Sequence, residues 1–126
     1  MTDALPNLGD LEREVMMLVW QHGPIIAETV RERLNRPLKE STVRTVLRRL
    51  EEKGYVTHSI DGRTYVFQAA EPREQVAAKA VRRIVDWFCN GSMDDVLVGM
   101  VDTEMLDRRQ LERLIAKIDK AKRGKE

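Results

Sequence analysis

The chain has a single cysteine, Cys89, and its aromatic content is only 5%. One cysteine cannot form an internal disulfide, and by itself it cannot build a thiolate metal site. No apolar run approaches the ~20 residues that a transmembrane helix requires. The chain begins MTDALPNLGDLEREV, which is acidic and lacks the basic start and apolar stretch of a signal peptide. We therefore expect a soluble cytoplasmic protein that does not associate with membranes.

Patterns typical of catalysis are also missing. Catalytic groups must converge in one site, but the two histidines, His22 and His58, lie in separate segments and Cys89 lies in a third. There is neither a metal-ligand spacing nor a glycine-rich phosphate loop. We therefore predict no enzymatic activity, no cofactor and no metal ion. Cys89 is interpreted as a small buried apolar residue and not as a redox switch.

The net charge of +1 conceals an uneven distribution of charge. Residues 1–23 contain four acids and one base, and residues 69–126 contain eleven acids and twelve bases. Residues 28–67 contain nine Lys and Arg against six Asp and Glu, a net charge of +3. The basic residues are thus modestly concentrated in the middle of the chain.

Within that segment, the stretch STVRTVLRRL, residues 41–50, contains three arginines and no acid. Its apolar residues recur at positions i, i+3, i+4 and i+7, which predicts an α-helix with one buried face. That face consists of Val43, Val46, Leu47 and Leu50. Ser41 stands at the expected start of the helix, where its hydroxyl can cap the first free N–H groups.

The opposite face of this helix is cationic and rich in hydroxyls. It carries Thr42, Arg44, Thr45, Arg48 and Arg49. Opposite charges four residues apart stabilise a helix, whereas like charges such as Arg44 and Arg48 repel. The pattern therefore favours a negatively charged partner outside the helix. In the alternative interpretation the arginines are solvated, and Arg48 and Arg49 pair with Glu51, Glu52 or acids of the first helix.

Two helices are predicted before this stretch and a hairpin after it. The first helix begins near Gly9 or Asp10, with Asp10 as N-cap, and ends at Gly23; the second covers AETVRERL. The third helix ends at Gly54, where the apolar period changes to two in YVTHSIDGRTYVFQA. Asp61-Gly62 predicts a type I′ turn, with both residues at positive φ. That turn would place Ile60 opposite Arg63, His58 opposite Tyr65 and Val56 opposite Phe67.

Three helices followed by a basic-tipped hairpin are the order of a winged helix-turn-helix. The segments LGDLEREVMMLVW, STVRTVLRRLEEKGYV and GRTYVFQA resemble the penicillinase repressor (BlaI/MecI/CopY) family of bacterial transcription regulators. The resemblance runs from about Leu8 to Ala70 and more loosely to Ile118. It implies a cytoplasmic homodimer that binds operator DNA. We predict a mainly α protein with a small β-hairpin, with a winged-helix DNA-binding domain at residues 1–71 and a three-helix dimerisation domain at residues 72–126.

The predicted C-terminal helices carry apolar stripes but are too short to bury much surface alone. Ser92 with Asp95 and Asp107 with Gln110 resemble caps for the second and third of them. A symmetric partner would supply the missing burial. The predicted dimerisation residues are Val81, Ile84, Phe88, Val96, Leu97, Leu111, Leu114, Ile115 and Ile118.

In a helix-turn-helix, the second helix of the motif lies in the major groove of double-stranded DNA. The predicted DNA-binding residues are Ser41, Thr42, Arg44, Thr45, Arg48, Arg49 and Arg63. Arg49 can instead point toward protein, Arg63 can be a solubilising residue of the turn, and His58 is expected to pack in the hairpin. The expected function is a homodimeric repressor that occludes a promoter at an inverted-repeat operator. The alternative is a protein-interaction module without specific DNA binding.

Two branches of the family respond to signals through motifs that this chain lacks. The copper-responsive branch carries Cys-x-Cys pairs near its C-terminus, and the tail AKIDKAKRGKE has none. In the β-lactam-responsive branch, a membrane sensor protease cuts the dimerisation domain at an Asn-Phe bond. Gly99-Met100 stands where that pair would fall. From this resemblance we expect the chain to bind DNA and to dimerise. Whether a sensor protease cleaves it is left open.

Overall fold

The computed structural model describes residues 8–124. Residues 1–7 and 125–126, which complete the two predicted domains, lie outside the described residues. The fold is mainly helical with one small antiparallel sheet, as predicted. Its elements are α1 (Asp10–His22), β1 (Ile25–Ile26), α2 (Ala27–Arg33), α3 (Glu40–Glu52), β2 (Val56–Asp61), β3 (Thr64–Ala69), α4 (Arg73–Phe88), α5 (Met93–Asp102) and α6 (Arg108–Gly124).

One hydrophobic core joins the first three helices to the sheet. Helix α1 contributes Val15, Met16 and Val19 to it. The predicted apolar face of α3 is buried at all four positions, and Leu47 and Leu50 are completely inaccessible to solvent. Burying a leucine side chain stabilises a fold by roughly 1.5–3 kcal/mol. This burial sets the rotation of α3 about its axis and leaves its arginines outside.

Helix α1 begins where predicted, but the N-caps of α1 and α3 differ from those predicted. Gly9, not Asp10, is the N-cap of α1, and its N–H donates to the Glu12 carboxylate at 3.0 Å. Lys39, not Ser41, is the N-cap of α3, and no side chain caps it. Ser41 therefore lies in the first turn. Glu40 extends this helix because a negative charge in the first turn is favoured by the helix dipole.

The hairpin formed by β2 and β3, hereafter the wing, has a different register from the one predicted. Its two-residue turn is Gly62-Arg63, so that Ile60 pairs with Tyr65 and His58 with Phe67, whereas Val56 pairs with Ala69. Only Gly62 has positive φ in this turn. A glycine at the first of two turn residues is the pattern of a type II′ turn, which requires positive φ only there. The predicted type I′ turn at Asp61-Gly62 is wrong because Asp61 continues the strand instead.

A third strand, β1, was not expected from the sequence. It pairs Ile25 with Phe67 and Ile26 with Val66, which gives the strand order β1-β3-β2. Two residues are too few for any periodicity to be visible. The pairing holds the start of α2 against the wing.

The second and third C-terminal helices, α5 and α6, begin with the predicted caps. The Ser92 hydroxyl accepts the Asp95 N–H at 3.2 Å. Asp107 and Gln110 each accept the other's backbone N–H at 2.8 Å. The chain divides into two compact units, with the boundary between Ala80 and Val81 inside α4. The predicted division at residue 72 concerns independently folding domains and stays a prediction.

Candidate nucleic-acid interface

The outward face of α3 presents the predicted DNA-binding residues to solvent. Ser41, Thr42, Arg44, Thr45, Arg48 and Arg49 are all exposed. Arg63 is exposed as well, at the turn of the wing. The buried apolar face of the same helix explains this exposure, because the two faces lie on opposite sides of the helix axis.

The wing folds back beside α3, and the two elements border a cleft of about 460 Å³. Arg44 and Arg48 of α3 and Arg63 of the wing line this cleft, together with the aromatic rings of Tyr65 and Phe67. Arg63, which follows Arg48 by 15 positions and Arg44 by 19, thus meets them at one surface. The structure does not bring Arg49 into the lining of this cleft.

The cleft also contains three acids that sequence reasoning did not assign to the site. They are Glu28 of α2 and Glu40 and Glu51 of α3. Glu40 could have been found from its spacing of four residues from Arg44, which favours an ion pair on a helix. Glu51 is three residues from Arg48, but its partner in the structure is His58 of the wing, and Glu28 carries no local signal because the tertiary fold places α2 beside α3.

The arginines of α3 differ in their partners. Arg44 Nη2 lies 3.0 Å from Glu40 Oε1 in an exposed ion pair. Arg48 and Arg63 form no ion pair with any residue between 8 and 124. Arg49 lies close enough to Glu12 to attract its carboxylate. The alternative in which Arg48 pairs with Glu51 or Glu52 is therefore not observed, whereas the charge of Arg49 acts on Glu12 of α1.

The start of α3 presents backbone donors as well as hydroxyls. The Thr45 hydroxyl donates to the Ser41 carbonyl at 3.0 Å, so its proton is used within the helix. The N–H groups of Thr42 and Val43 donate to the Lys39 carbonyl at 3.1 and 3.3 Å. Because no side chain caps this end, the first N–H groups of the helix can donate hydrogen bonds to an anion such as a phosphate.

A histidine connects the wing to α3. The Nδ1 atom of His58 lies 2.7 Å from Glu51 Oε2, and its ring is stacked on Tyr65 with centroids 4.4 Å apart. The predicted contact between His58 and Tyr65 is present, although it is diagonal across the strands and not directly opposite. Both His58 and Glu51 are half-buried. This bridge fixes the wing relative to the C-terminal part of α3.

A second polar cluster holds the C-terminal end of α3 to α1. Glu12 accepts from Lys53 Nζ at 2.9 Å and from the Gly9 N–H at 3.0 Å. Burial raises the pKa of Glu12, but these hydrogen bonds and the charges of Lys53 and Arg49 lower it more, so that the net pKa lies below its ordinary value. The carboxylate is thus held in its charged form.

Other kinds of site are not found in the described part of the chain. Between residues 8 and 124, no group of three or more His, Cys, Asp or Glu side chains is arranged to bind a metal ion. No helix in that range is long and apolar enough to span a bilayer. The cleft between α3 and the wing is therefore the candidate site.

Comparisons with known proteins find relatives of this chain among transcriptional repressors and regulators. The penicillinase repressor family profile matches residues 8–120. The penicillinase repressor of Bacillus licheniformis is 24% identical over 123 residues, which cover 96% of each chain. Transcriptional regulator BlaI of Mycobacterium tuberculosis is 33% identical over 120 residues, covering 91% of this chain and 87% of that protein.

A solved structure supports the fold. The transcriptional regulator Tm0710 of Thermotoga maritima is similar with a TM-score of 0.53 at 18% identity, over 92% of this chain and 75% of that one. At this level of identity the likeness concerns architecture alone. The family match over nearly the whole chain, together with the winged-helix fold, shows that this chain belongs to the penicillinase repressor family, whose members are transcriptional regulators and not enzymes.

Proposed function

We propose that this protein is a homodimeric repressor that binds an inverted-repeat operator and occludes a promoter. The observation that carries this proposal is the convergence of Arg44, Arg48 and Arg63 on one exposed surface formed by α3 and the wing. The basic residues of that surface face outward because the apolar face of α3 is buried. A negatively charged double helix is the partner that such a surface fits.

In this proposal, α3 is the recognition helix and lies in the major groove. Arg44 and Arg48 are one helical turn apart, so both can reach guanine edges or phosphates. Ser41, Thr42 and Thr45 lie near the start of the helix, where backbone and hydroxyl groups contact the DNA backbone. Arg63, at the tip of the wing, contacts the phosphate backbone or the minor groove beside it. Arg49 lies outside the cleft and contributes to DNA binding through its positive charge.

Dimerisation is proposed for residues 72–126 because the second compact unit buries almost nothing by itself. Among its described residues only Val85 is buried. Four predicted dimerisation residues, Ile84, Val96, Leu97 and Leu111, are half-buried. The other five are exposed: Val81, Phe88, Leu114, Ile115 and Ile118. Trp87, Met93, Val98, Val101 and Met105 are exposed as well, although they were not predicted.

Such an apolar surface is large for a chain that remains alone in water. A second copy would bury it in a symmetric interface, as most homodimers do. The two recognition helices of the dimer would then bind half-sites that lie ~34–36 Å apart, one helical turn of DNA. The second half-site becomes an effectively intramolecular contact, which raises the affinity of the dimer above that of one domain.

The inducing signal of this repressor does not follow from the family pattern. Gly99 and Met100, which stand where the β-lactam-responsive branch is cleaved, lie inside α5. A helical segment must open before a protease can bind it in extended form. We therefore propose operator binding and dimerisation without assigning cleavage by a sensor protease.

The direct test is a gel shift of the purified protein on its own upstream DNA, with random duplex as competitor and at two salt concentrations. A discrete complex that survives the competitor is expected, and footprinting of that complex will give the spacing of the half-sites. Weak binding that is equal on both duplexes and disappears with salt would contradict the proposal. It would favour the alternative, a winged helix that binds an acidic protein.

A further inference from the structure

Glu40 occupies an unusual place for an acid in a surface that binds DNA. It is the first residue of α3, and its Oε1 atom accepts a hydrogen bond from Arg44 Nη2 at 3.0 Å. The two side chains are 41% and 64% exposed, and both line the cleft between α3 and the wing. The carboxylate therefore lies where the sugar-phosphate backbone would approach.

Two effects of this carboxylate oppose each other. A negative charge in the first turn stabilises a helix, because it faces the positive end of the helix dipole. The same end of α3 is the place where the free N–H groups favour a phosphate. Glu40 thus occupies electrostatically the position that an incoming phosphate would take, and it repels that phosphate.

Glu40 also competes with DNA for Arg44. The pair is solvent-exposed, so breaking it costs little. The loss is nevertheless incurred by every DNA sequence that engages Arg44. Because this cost is the same for all of them, it lowers the affinity for each such duplex by the same factor.

We propose that Glu40 is an affinity-limiting residue of this repressor, which holds Arg44 in the free protein and repels the phosphates that approach the start of α3. This inference rests on the proposed function of α3 as the recognition helix. Glu40 lowers the affinity for operator and random DNA alike. Its removal therefore tightens binding to both.

The variant Glu40→Gln tests this proposal because it keeps the shape and removes the charge. Dissociation constants are measured on the footprinted operator and on random duplex of the same length, at two salt concentrations. We expect random duplex to be bound at least about threefold more tightly and with a steeper salt dependence. Affinity for the operator rises by a similar factor, so the ratio of the two dissociation constants stays within about twofold of its wild-type value.

The matched control is Glu112→Gln. Glu112 pairs with Arg108 at 3.3 Å on α6, again four residues apart and exposed, but outside the proposed recognition helix. This variant changes the net charge equally and is expected to leave both dissociation constants within about twofold of the wild-type values. Thermal unfolding of both variants shows that loss of an acid has not unfolded the chain.

A double variant tests whether Glu40 acts through Arg44. In an Arg44→Gln background, the effect of Glu40→Gln on random duplex should fall by at least half, because only the direct repulsion of phosphate remains. An unreduced effect would overturn the role of the pair.

Two further results would overturn the proposal itself. Equal behaviour of Glu40→Gln and Glu112→Gln would show that only net charge matters. Weaker binding of Glu40→Gln to the operator, with random duplex unaffected, would show that Glu40 accepts a hydrogen bond from a base, such as the cytosine amino group. Failure of the wild-type protein to prefer its operator would instead contradict the proposed function, independently of Glu40.

Discussion

The imidazole of His58 is bonded to the carboxylate of Glu51 at 2.7 Å, which joins the wing directly to the last turns of α3. The ring is stacked on Tyr65 of the neighbouring strand at the same time. Both partners of the bond are half-buried, so water screens it less than an exposed pair. The bond thereby connects the hairpin that carries Arg63 to the helix that carries Arg48.

Replacement of this histidine should loosen the wing without unfolding the core. We expect His58→Ala to lower the free energy of unfolding by about 1 kcal/mol, since it removes one charge-assisted hydrogen bond and one ring contact. Operator affinity should fall by roughly threefold or more, measured by fluorescence anisotropy titration. His22→Ala is the control, because His22 is exposed at the end of α1. Equal operator affinity for both variants would show that the bridge does not position the wing.

Arg48 is expected to contribute directly to operator recognition. It is exposed on the outward face of α3 and forms no ion pair within the described residues. Arg48→Ala should weaken operator binding by about 1–3 kcal/mol if the guanidinium contacts a guanine edge. A titration in which both the affinity and the salt slope are unchanged would exclude Arg48 from the interface. Arg73→Ala, which removes an exposed cation at the start of α4, controls for net charge.

The apolar stripe of α6 is expected to hold the dimer together. Leu114 and Ile118 are 48% and 44% exposed and lie one helical turn apart. Leu114→Glu and Ile118→Glu should each give monomers, because a buried unpaired carboxylate costs several kcal/mol. Sedimentation velocity measures this outcome. Arg113→Glu, a charge change outside the apolar stripe of the same helix, should leave dimers intact; dimers of all three variants would move the interface elsewhere.

Acid should weaken the contact between α1 and the end of α3. The pKa of Glu12 is lowered in the folded protein, so its stabilising contribution is present above its ordinary unfolded pKa and is lost as the pH falls through its folded pKa. Denaturant unfolding at pH 6 and pH 3 should show a larger loss of stability for the wild type than for Glu12→Gln. The expected difference is about 1 kcal/mol or less.

Glu32→Gln is the control for this titration, because Glu32 is exposed on α2. It should lose stability between pH 6 and pH 3 as the wild type does. If Glu12→Gln also lost as much as the wild type, the carboxylate of Glu12 would not be the group whose protonation weakens the fold.

Local patterns in the sequence predicted the helices well and the hairpin less well. The spacing of Val43, Val46, Leu47 and Leu50 predicted both the burial of one face of α3 and the exposure of the other, since helical periodicity depends only on neighbouring residues. The register predicted for the wing was wrong because either Asp61-Gly62 or Gly62-Arg63 can form a two-residue turn. The short strand β1 left no periodic signal at all, and only its pairing with β3 reveals it.

The sequence by itself determined the amphipathic character of α3, the family to which the chain belongs, and the apolar stripes of the C-terminal helices. Each of these properties depends on residues that are close in the chain. Only the tertiary structure brought Arg63 beside Arg44 and Arg48, bonded His58 to Glu51, and placed Glu28 in the same cleft. Those contacts join separate elements, and their geometry follows from how the core packs α2, α3 and the wing together, which no local pattern encodes.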